Sequence, residues 1–268
     1  MFLEKAMFII GELINGMYKN IGKAIKEKDK AVIQRCALDQ IKAGADALDI
    51  NCGPVSKDPL SDIQWLVETV QEVTDKPLAL DSSKPKVIEA GLKVIKNKVI
   101  INSTTADQEK LEILVPLAKK YNAKLIGLSI SAKGIPQNKD QRLELAANIV
   151  AYCVEAGFPL EDLYLDPVLL PVNVAQAQQK DILESIREFK IISDPSPKTI
   201  VGLSNVSQGT KTRSLINRTF LTMAIAYGLD SAILDPLDKD LMDSAITAEL
   251  ILNKQIYCDS YLEAYRRK

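Results

Sequence analysis

Short apolar runs alternate along the chain with longer stretches in which apolar positions recur every three to four residues, the periods of buried strands and amphipathic helices. The short runs are MFIIGE (7–12), ALDIN (47–51), LALDS (78–82), VIINS (99–103), KLIGLSI (124–130), LYLDP (163–167), TIVGLSN (199–205) and SAILDP (231–236). Between them the helical period predicts helices over about 21–43, 63–73, 108–121 and 142–155, a further helix opened by Pro85 at its first position, and one after each remaining run.

Strand–helix alternation implies parallel strands joined by crossovers. Eight such units within 268 residues match the size of a (β/α)8 TIM barrel. The competing doubly wound sheet usually carries a glycine-rich phosphate turn after its first strand, and GELING (11–16) is not GxGxxG. No low-complexity tract or Gly/Ser spacer divides the chain, so residues 1–268 are read as one α/β barrel domain.

A barrel of this kind carries its site at the C-terminal ends of its strands. There the sequence sets Glu12 and Asn15, Asp49 and Asn51, Asp81, Asn102, Asp166, Ser204 and Asn205, and Asp235. This ring of acids and amides has little positive charge, which argues against a phosphorylated substrate and favours a neutral heterocycle rich in N–H donors. Plainer roles compete at each position. Asp166 and Asp235 precede prolines and suit turns, Asp49 and Glu12 suit structural acceptors, and Asp81 suits a cap on the helix at Pro85.

Composition narrows the chemistry. Lys plus Arg number 34 against 35 Asp plus Glu, for a net charge of −1, and neither sign clusters, which excludes an electrostatic footprint for nucleic acid or a membrane surface. Histidine is absent, removing the commonest general base and metal ligand, and no metal site is expected. Lys84, Lys133 and Lys211 fall in loops and Lys124 and Lys198 at strand beginnings, which disfavours a Schiff-base aldolase. The four cysteines are widely spaced and read as structural thiols. The first residues lack a secretory signal and no run reaches the roughly 20 apolar residues of a membrane span, so a cytoplasmic location is expected.

GELING, ALDINCGP (47–54), LALDSS (78–83), INST (101–104), DLYLDPVLLP (162–171) and GLSNVSQ with LINRTFL (202–221) occur together and in order. In these motifs the chain resembles the pterin-binding methyltransferases, and most closely the methyltetrahydrofolate:corrinoid/iron–sulfur protein methyltransferases of anaerobic acetyl-CoA synthesis. The resemblance spans nearly the whole length and implies a TIM barrel, usually a homodimer. It implies 5-methyltetrahydrofolate as methyl donor and Co(I) of a separate corrinoid/iron–sulfur protein as acceptor. Asp81, Asn102 and Asp166 match the residues that hold the pterin ring, and Asn205 the asparagine that approaches nitrogen 5. Gly202, Ser204 and Gln208 match pocket-lining positions, with Glu12, Asp49, Asn51 and Arg213 as further candidates; Leu13 stands where relatives often carry Arg. Two alternatives share the pocket, a dihydropteroate synthase-like enzyme and a non-catalytic folate-binding scaffold for a corrinoid protein. The first lacks its expected glycine-rich loop after Asp166, which PVLLPVN occupies instead. Arg213 and Arg218, read as loop residues, suit either the folate tail or ion pairs.

Overall fold

The structure, a computed structural model, describes residues 7–54 and 56–266. Residues 1–6, on which the expectation about a secretory signal rests, lie outside the described residues. Eight strands alternate with helices: β1 (Phe8–Asn15), α1 (Lys19–Glu27), α2 (Lys30–Lys42), β2 (Ala47–Asn51), α3 (Pro59–Gln71), β3 (Leu78–Asp81), α4 (Pro85–Leu92), β4 (Val99–Thr105), α5 (Gln108–Lys120), β5 (Lys124–Leu128), α6 (Lys139–Glu155), β6 (Leu163–Asp166), α7 (Val172–Ala175), α8 (Gln179–Phe189), β7 (Lys198–Gly202), α9 (Arg213–Ala226), β8 (Ser231–Leu234), α10 (Lys239–Ile251) and α11 (Tyr261–Arg266). The strands are parallel and follow chain order around a closed barrel, with β8 pairing back onto β1. No helix among the described residues is long and apolar enough to cross a membrane.

Period-2 alternation divides each strand between two environments. Leu48, Ile50, Leu78, Leu80, Ile101 and Leu125 face outward and are buried against helix residues such as Ile33, Ile63, Val67 and Leu114. Their neighbours Ile10, Ala47, Ala79, Ile100, Ile126, Tyr164 and Ile200, with Ile233 against them, form a separate cluster. One residue from every strand meets there, which only the barrel interior permits. Each fully buried Ile or Leu contributes roughly 1.5–3 kcal/mol, so the helix-facing layer carries most of the stability.

The helix predicted over 21–43 is two helices. Lys28 closes α1 in the left-handed conformation at φ 56, and the Asp29 carboxylate caps α2 by accepting from the Ala31 and Val32 N–H groups. The polar stretch KEKDK carries that break. A second local feature sits in β1, whose register with β2 shifts between Gly11 and Ile14. Fully buried Gln40 fills the irregularity: its Oε1 accepts the Leu13 N–H at 3.0 Å. A side chain at Gly11 would collide with that oxygen and push Gln40 off the Leu13 N–H.

Candidate functional site

Because side chains alternate, the residue two positions beyond each interior apolar residue also points inward, one layer nearer the C-terminal mouth. From Ile10 this step reaches Glu12, from Ala47 Asp49 and then Asn51, from Ala79 Asp81, and from Ile100 Asn102. From Tyr164 it reaches Asp166, from Ile200 Gly202, and from Ile233 Asp235. The acids and amides singled out from sequence on the other strands are thus one ring resting on the apolar plug, to which β7 contributes Gly202, without a side chain, and β5 the apolar Leu128.

On the β2–β4 side the ring is paired internally. Asn102 Nδ2 donates to Asp49 Oδ1 at 2.9 Å and Asn51 Nδ2 to Asp81 Oδ2 at 2.6 Å, while Asn51 Oδ1 accepts the Gly53 N–H at 2.7 Å. These bonds engage one oxygen of each carboxylate. Burial holds Asp49 well above the ordinary carboxylate range, the Asp81 charge adds to this, and the Asn102 hydrogen bond opposes it. Burial likewise raises Asp81, against the Asn51 hydrogen bond. Asp81 does not cap α4: Lys84 occupies the cap position without a side-chain bond, and the Asp81 carboxylate faces Asn51.

Asp166 is buried at the end of β6, its pKa pushed up to about 7 by desolvation against hydrogen bonds from the Val168 and Gly202 backbones. Its Oδ1 accepts the Val168 N–H at 2.7 Å. Val168 lies at φ 63, an outlier for a β-branched residue, so the Asp166–Val168 turn is strained and must be held from outside. Arg142 of α6 does this. Fully buried, it donates from Nε to the Pro167 carbonyl at 2.9 Å and from Nη2 to Gln178 Oε1 at 2.8 Å. Sequence reading passed over Arg142, although the signal was present: it shares the buried face of α6 with Ala146, Ile149 and Cys153.

After Gly202 the chain makes a 3₁₀ turn, Leu203–Asn205. A Cβ on Gly202 would stand 3.1 Å from Asn205 Nδ2, which places the Asn205 amide over the end of β7, where the Gly202 backbone bonds the Asp166 carboxylate. Leu203, Val206 and Ser207 are buried under the turn, while Asn205 and Gln208 are exposed and Ser204 is half-buried. Ser204 Oγ donates to Glu12 Oε1 at 2.6 Å, across the mouth above β8. Arg213 and Arg218 lie in α9 rather than in a loop. Arg213 donates to Ser207 Oγ at 3.1 Å and to the Ser204 carbonyl at 3.2 Å, bracing the turn, and Arg218 pairs with Asp240 at 2.7 Å. Asp235 forms the turn expected of it, accepting the Leu237 N–H at 2.9 Å.

A hollow of about 640 Å³ lies to the side, between the loops after β4 and β5, where Gln108, Lys133, Gln137 and Asn148 line it. It contains none of the ring residues, so chemistry rather than volume locates the candidate site. Lys124 and Lys198 open β5 and β7 at the opposite end of the barrel, beside Tyr164. The four cysteines are unpaired. Among the described residues no group of three or more His, Cys, Asp or Glu is placed to hold a metal ion.

Residues 19–235 match the family model described as pterin binding enzyme. A methylcorrinoid:tetrahydrofolate methyltransferase of Eubacterium limosum is 30% identical over 266 residues, which cover 97% of each chain. The methionine synthase of Mycobacterium tuberculosis is 26% identical over 243 residues, covering 86% of this chain but 20% of that protein. Among solved structures, a dihydropteroate synthase of Yersinia pestis with a pterine–sulfa conjugate superposes with TM-score 0.68 at 18% identity, covering 92% of this chain and 95% of that one. A dihydropteroate synthase of Coxiella burnetii in complex with pteroic acid gives 0.67 at 14%, covering 93% and 96%. At those identities the structural likeness speaks for the fold.

Proposed function

The chain belongs to the pterin binding enzyme family, and on that footing we propose that it is a methyltransferase which exchanges the N5-methyl group between 5-methyltetrahydrofolate and the cobalt of a separate corrinoid protein. The name of the Eubacterium limosum relative, matched over 97% of both chains, supports the folate–corrinoid pairing. The sequence motifs favour a corrinoid/iron–sulfur protein of acetyl-CoA synthesis as the partner. That relative is named for transfer from the corrinoid, and one site serves both directions.

The observation that carries the reading is the ring itself, in which Asp49, Asp81 and Asp166 converge with Asn51 and Asn102 on one layer of the mouth and Asn205 lies over its β7 edge. Asp49 Oδ2 and Asp81 Oδ1 receive no hydrogen bond from any described residue, so both are open to N–H donors, and an amino-pyrimidinone edge presents such donors in parallel. Burial raises the pKa of all three aspartates, so each gains from donors that favour its charged form.

A methyl group leaves a tertiary amine poorly because the departing nitrogen would hold negative charge, and a hydrogen bond that strengthens as the C–N bond breaks lowers the barrier. Asn205 supplies that bond from its amide, which donates or accepts as the charge on nitrogen 5 changes. When the corrinoid protein docks, its reduced cobalt would supply the nucleophile that takes the methyl carbon. The barrel holds the pterin with nitrogen 5 toward the mouth.

Single-turnover transfer from methyltetrahydrofolate to free cob(I)alamin tests this. Wild-type protein should transfer the methyl group, and Asn205→Ala should slow the step by roughly 10²–10³-fold while folate affinity changes far less. Folate binding without transfer would leave a scaffold, and an unchanged Asn205→Ala rate would remove Asn205 from the mechanism.

A further inference from the structure

Asparagine is not a proton source, yet nitrogen 5 must gain a proton when the methyl group departs. Five carboxyls point into the mouth layer: Glu12, Asp49, Asp81, Asp166 and Asp235. Asp49 and Asp81 are bonded to asparagine amides, and Asp166 and Asp235 to backbone N–H groups. None of those partners passes a proton on. Glu12 alone is bonded to a hydroxyl, Ser204 Oγ at 2.6 Å, and a hydroxyl receives a proton on one lone pair while releasing its own. Ser204 directly precedes Asn205 in the 3₁₀ turn, and Arg213 fixes that turn through the Ser204 carbonyl and Ser207 Oγ. Gln40 fixes the other end by holding the irregular segment of β1 that carries Glu12.

We propose that Glu12 and Ser204 form a two-member proton relay serving nitrogen 5 of the bound folate, with Glu12 acting through Ser204. This rests on the methyl-transfer reading above. The electron pair of the N5–CH3 bond stays on nitrogen as the methyl carbon passes to the electron pair of the cobalt. With Glu12 protonated, its O–H donates to Ser204 Oγ, the reverse of the bond that Ser204 makes to the carboxylate. Nitrogen 5 then takes the Ser204 hydroxyl proton, Ser204 takes the proton of the Glu12 carboxyl, and solvent returns one to Glu12; in the reverse direction the same protons move back.

The groups facing Glu12 suit this role. Burial raises its pKa and Asp235 on the β8 side adds to that, while the Ser204 hydrogen bond and Arg213 lower it. Tyr18, on the loop after β1, is itself pushed up to about 12, first by burial and then by the Glu12 and Asp235 charges, and remains neutral. Asp49 on β2 feels the Glu12 charge. The balance leaves Glu12 protonated to higher pH than an ordinary carboxyl.

The test is Glu12→Gln, which keeps an oxygen for Ser204 but has no titrating proton. Single-turnover transfer to cob(I)alamin should fall about 10²-fold, and its dependence on pH should flatten. Methyltetrahydrofolate affinity should stay within about twofold. Ser204→Ala should reproduce the loss and Ser204→Thr should restore most of the rate. Wild-type rate and pH profile in Glu12→Gln overturn the relay, as does a rate loss that merely parallels a loss of folate affinity. Wild-type protein that binds folate but moves no methyl group fails earlier and removes the parent reading as well. Should Glu12→Gln not fold, the Ser204 pair decides in its place: a wild-type rate in Ser204→Ala overturns the relay, and loss in Ser204→Ala with recovery in Ser204→Thr supports it.

Discussion

Asp166 shows what a single carboxyl at the mouth costs the fold. In the unfolded chain it titrates near 3.8, and in the barrel near 7, raised by burial against two backbone hydrogen bonds. Below about pH 4 both states are protonated and Asp166 is neutral to stability. Between about 4 and 7 the folded state holds the proton that the unfolded state releases, so stability falls as pH rises, by roughly 1.4 kcal/mol per unit, and is level above 7. Asp166→Asn removes this dependence. The variant should melt higher than wild type at pH 8 and gain nothing at pH 4, while losing at least tenfold in methyltetrahydrofolate affinity. Thermal melts at both values and a folate titration check it; equal gains at both values would mean that desolvation of Asp166 is not the source. The position of Asp166 was legible in LYLDP, since an acid two residues beyond an inward Tyr164 must face the mouth. Its double use, in turn and ring at once, was not, because Val168 at positive φ leaves no trace in composition.

Helices show where pattern reading stops. It recovered α4 from Pro85 and α5 from Gln108 because a proline at the first position and a clean apolar period are local signals. It merged α1 with α2, because their apolar faces stay in phase across a break that one capping aspartate, Asp29, creates. It placed Arg213 and Arg218 in a loop, since α9 starts amid polar residues and its identity comes from burial of Phe220, Leu221, Ala224 and Ile225 further along. Arg142 is the consequential case, a cation on the buried face of α6 whose partners, Pro167 and Gln178, lie 25 and 36 residues away. Arg142→Met keeps the apolar stem but leaves the Pro167 carbonyl and Gln178 Oε1 without their donor. It should lower stability by about 2–4 kcal/mol. Because the strained Val168 turn loses its external support, folate affinity should also fall. Urea melts with a folate titration separate this from simple loss of packing, which would spare the affinity.

At the scale of the molecule the barrel is two stacked layers with opposite tasks. The lower, Ile10 through Ile233, closes the interior and needs no ligand. The upper gathers carboxyls whose burial pushes their pKa values up at Glu12, Asp49, Asp81, Asp166 and Asp235, so it opposes folding as they ionise. Eight strand-like runs made the lower layer readable, and period two carried the reading upward. The pairings Asp49–Asn102 and Asn51–Asp81 depend on barrel closure and tilt, which sequence spacing does not encode. A ligand that donates to several of these carboxyls should relieve strands β2, β3 and β6 together, and its binding energy should appear as stability of the whole barrel. At a methyltetrahydrofolate concentration one hundred times its Kd the gain is about 2.7 kcal/mol, several degrees in Tm for a chain of this size. Asp81→Asn should lose most of that shift at the same ligand concentration, and p-aminobenzoate, which lacks the pterin ring, should produce none. A full shift with p-aminobenzoate, or none with methyltetrahydrofolate at saturation, would place the ligand outside the acid–amide layer.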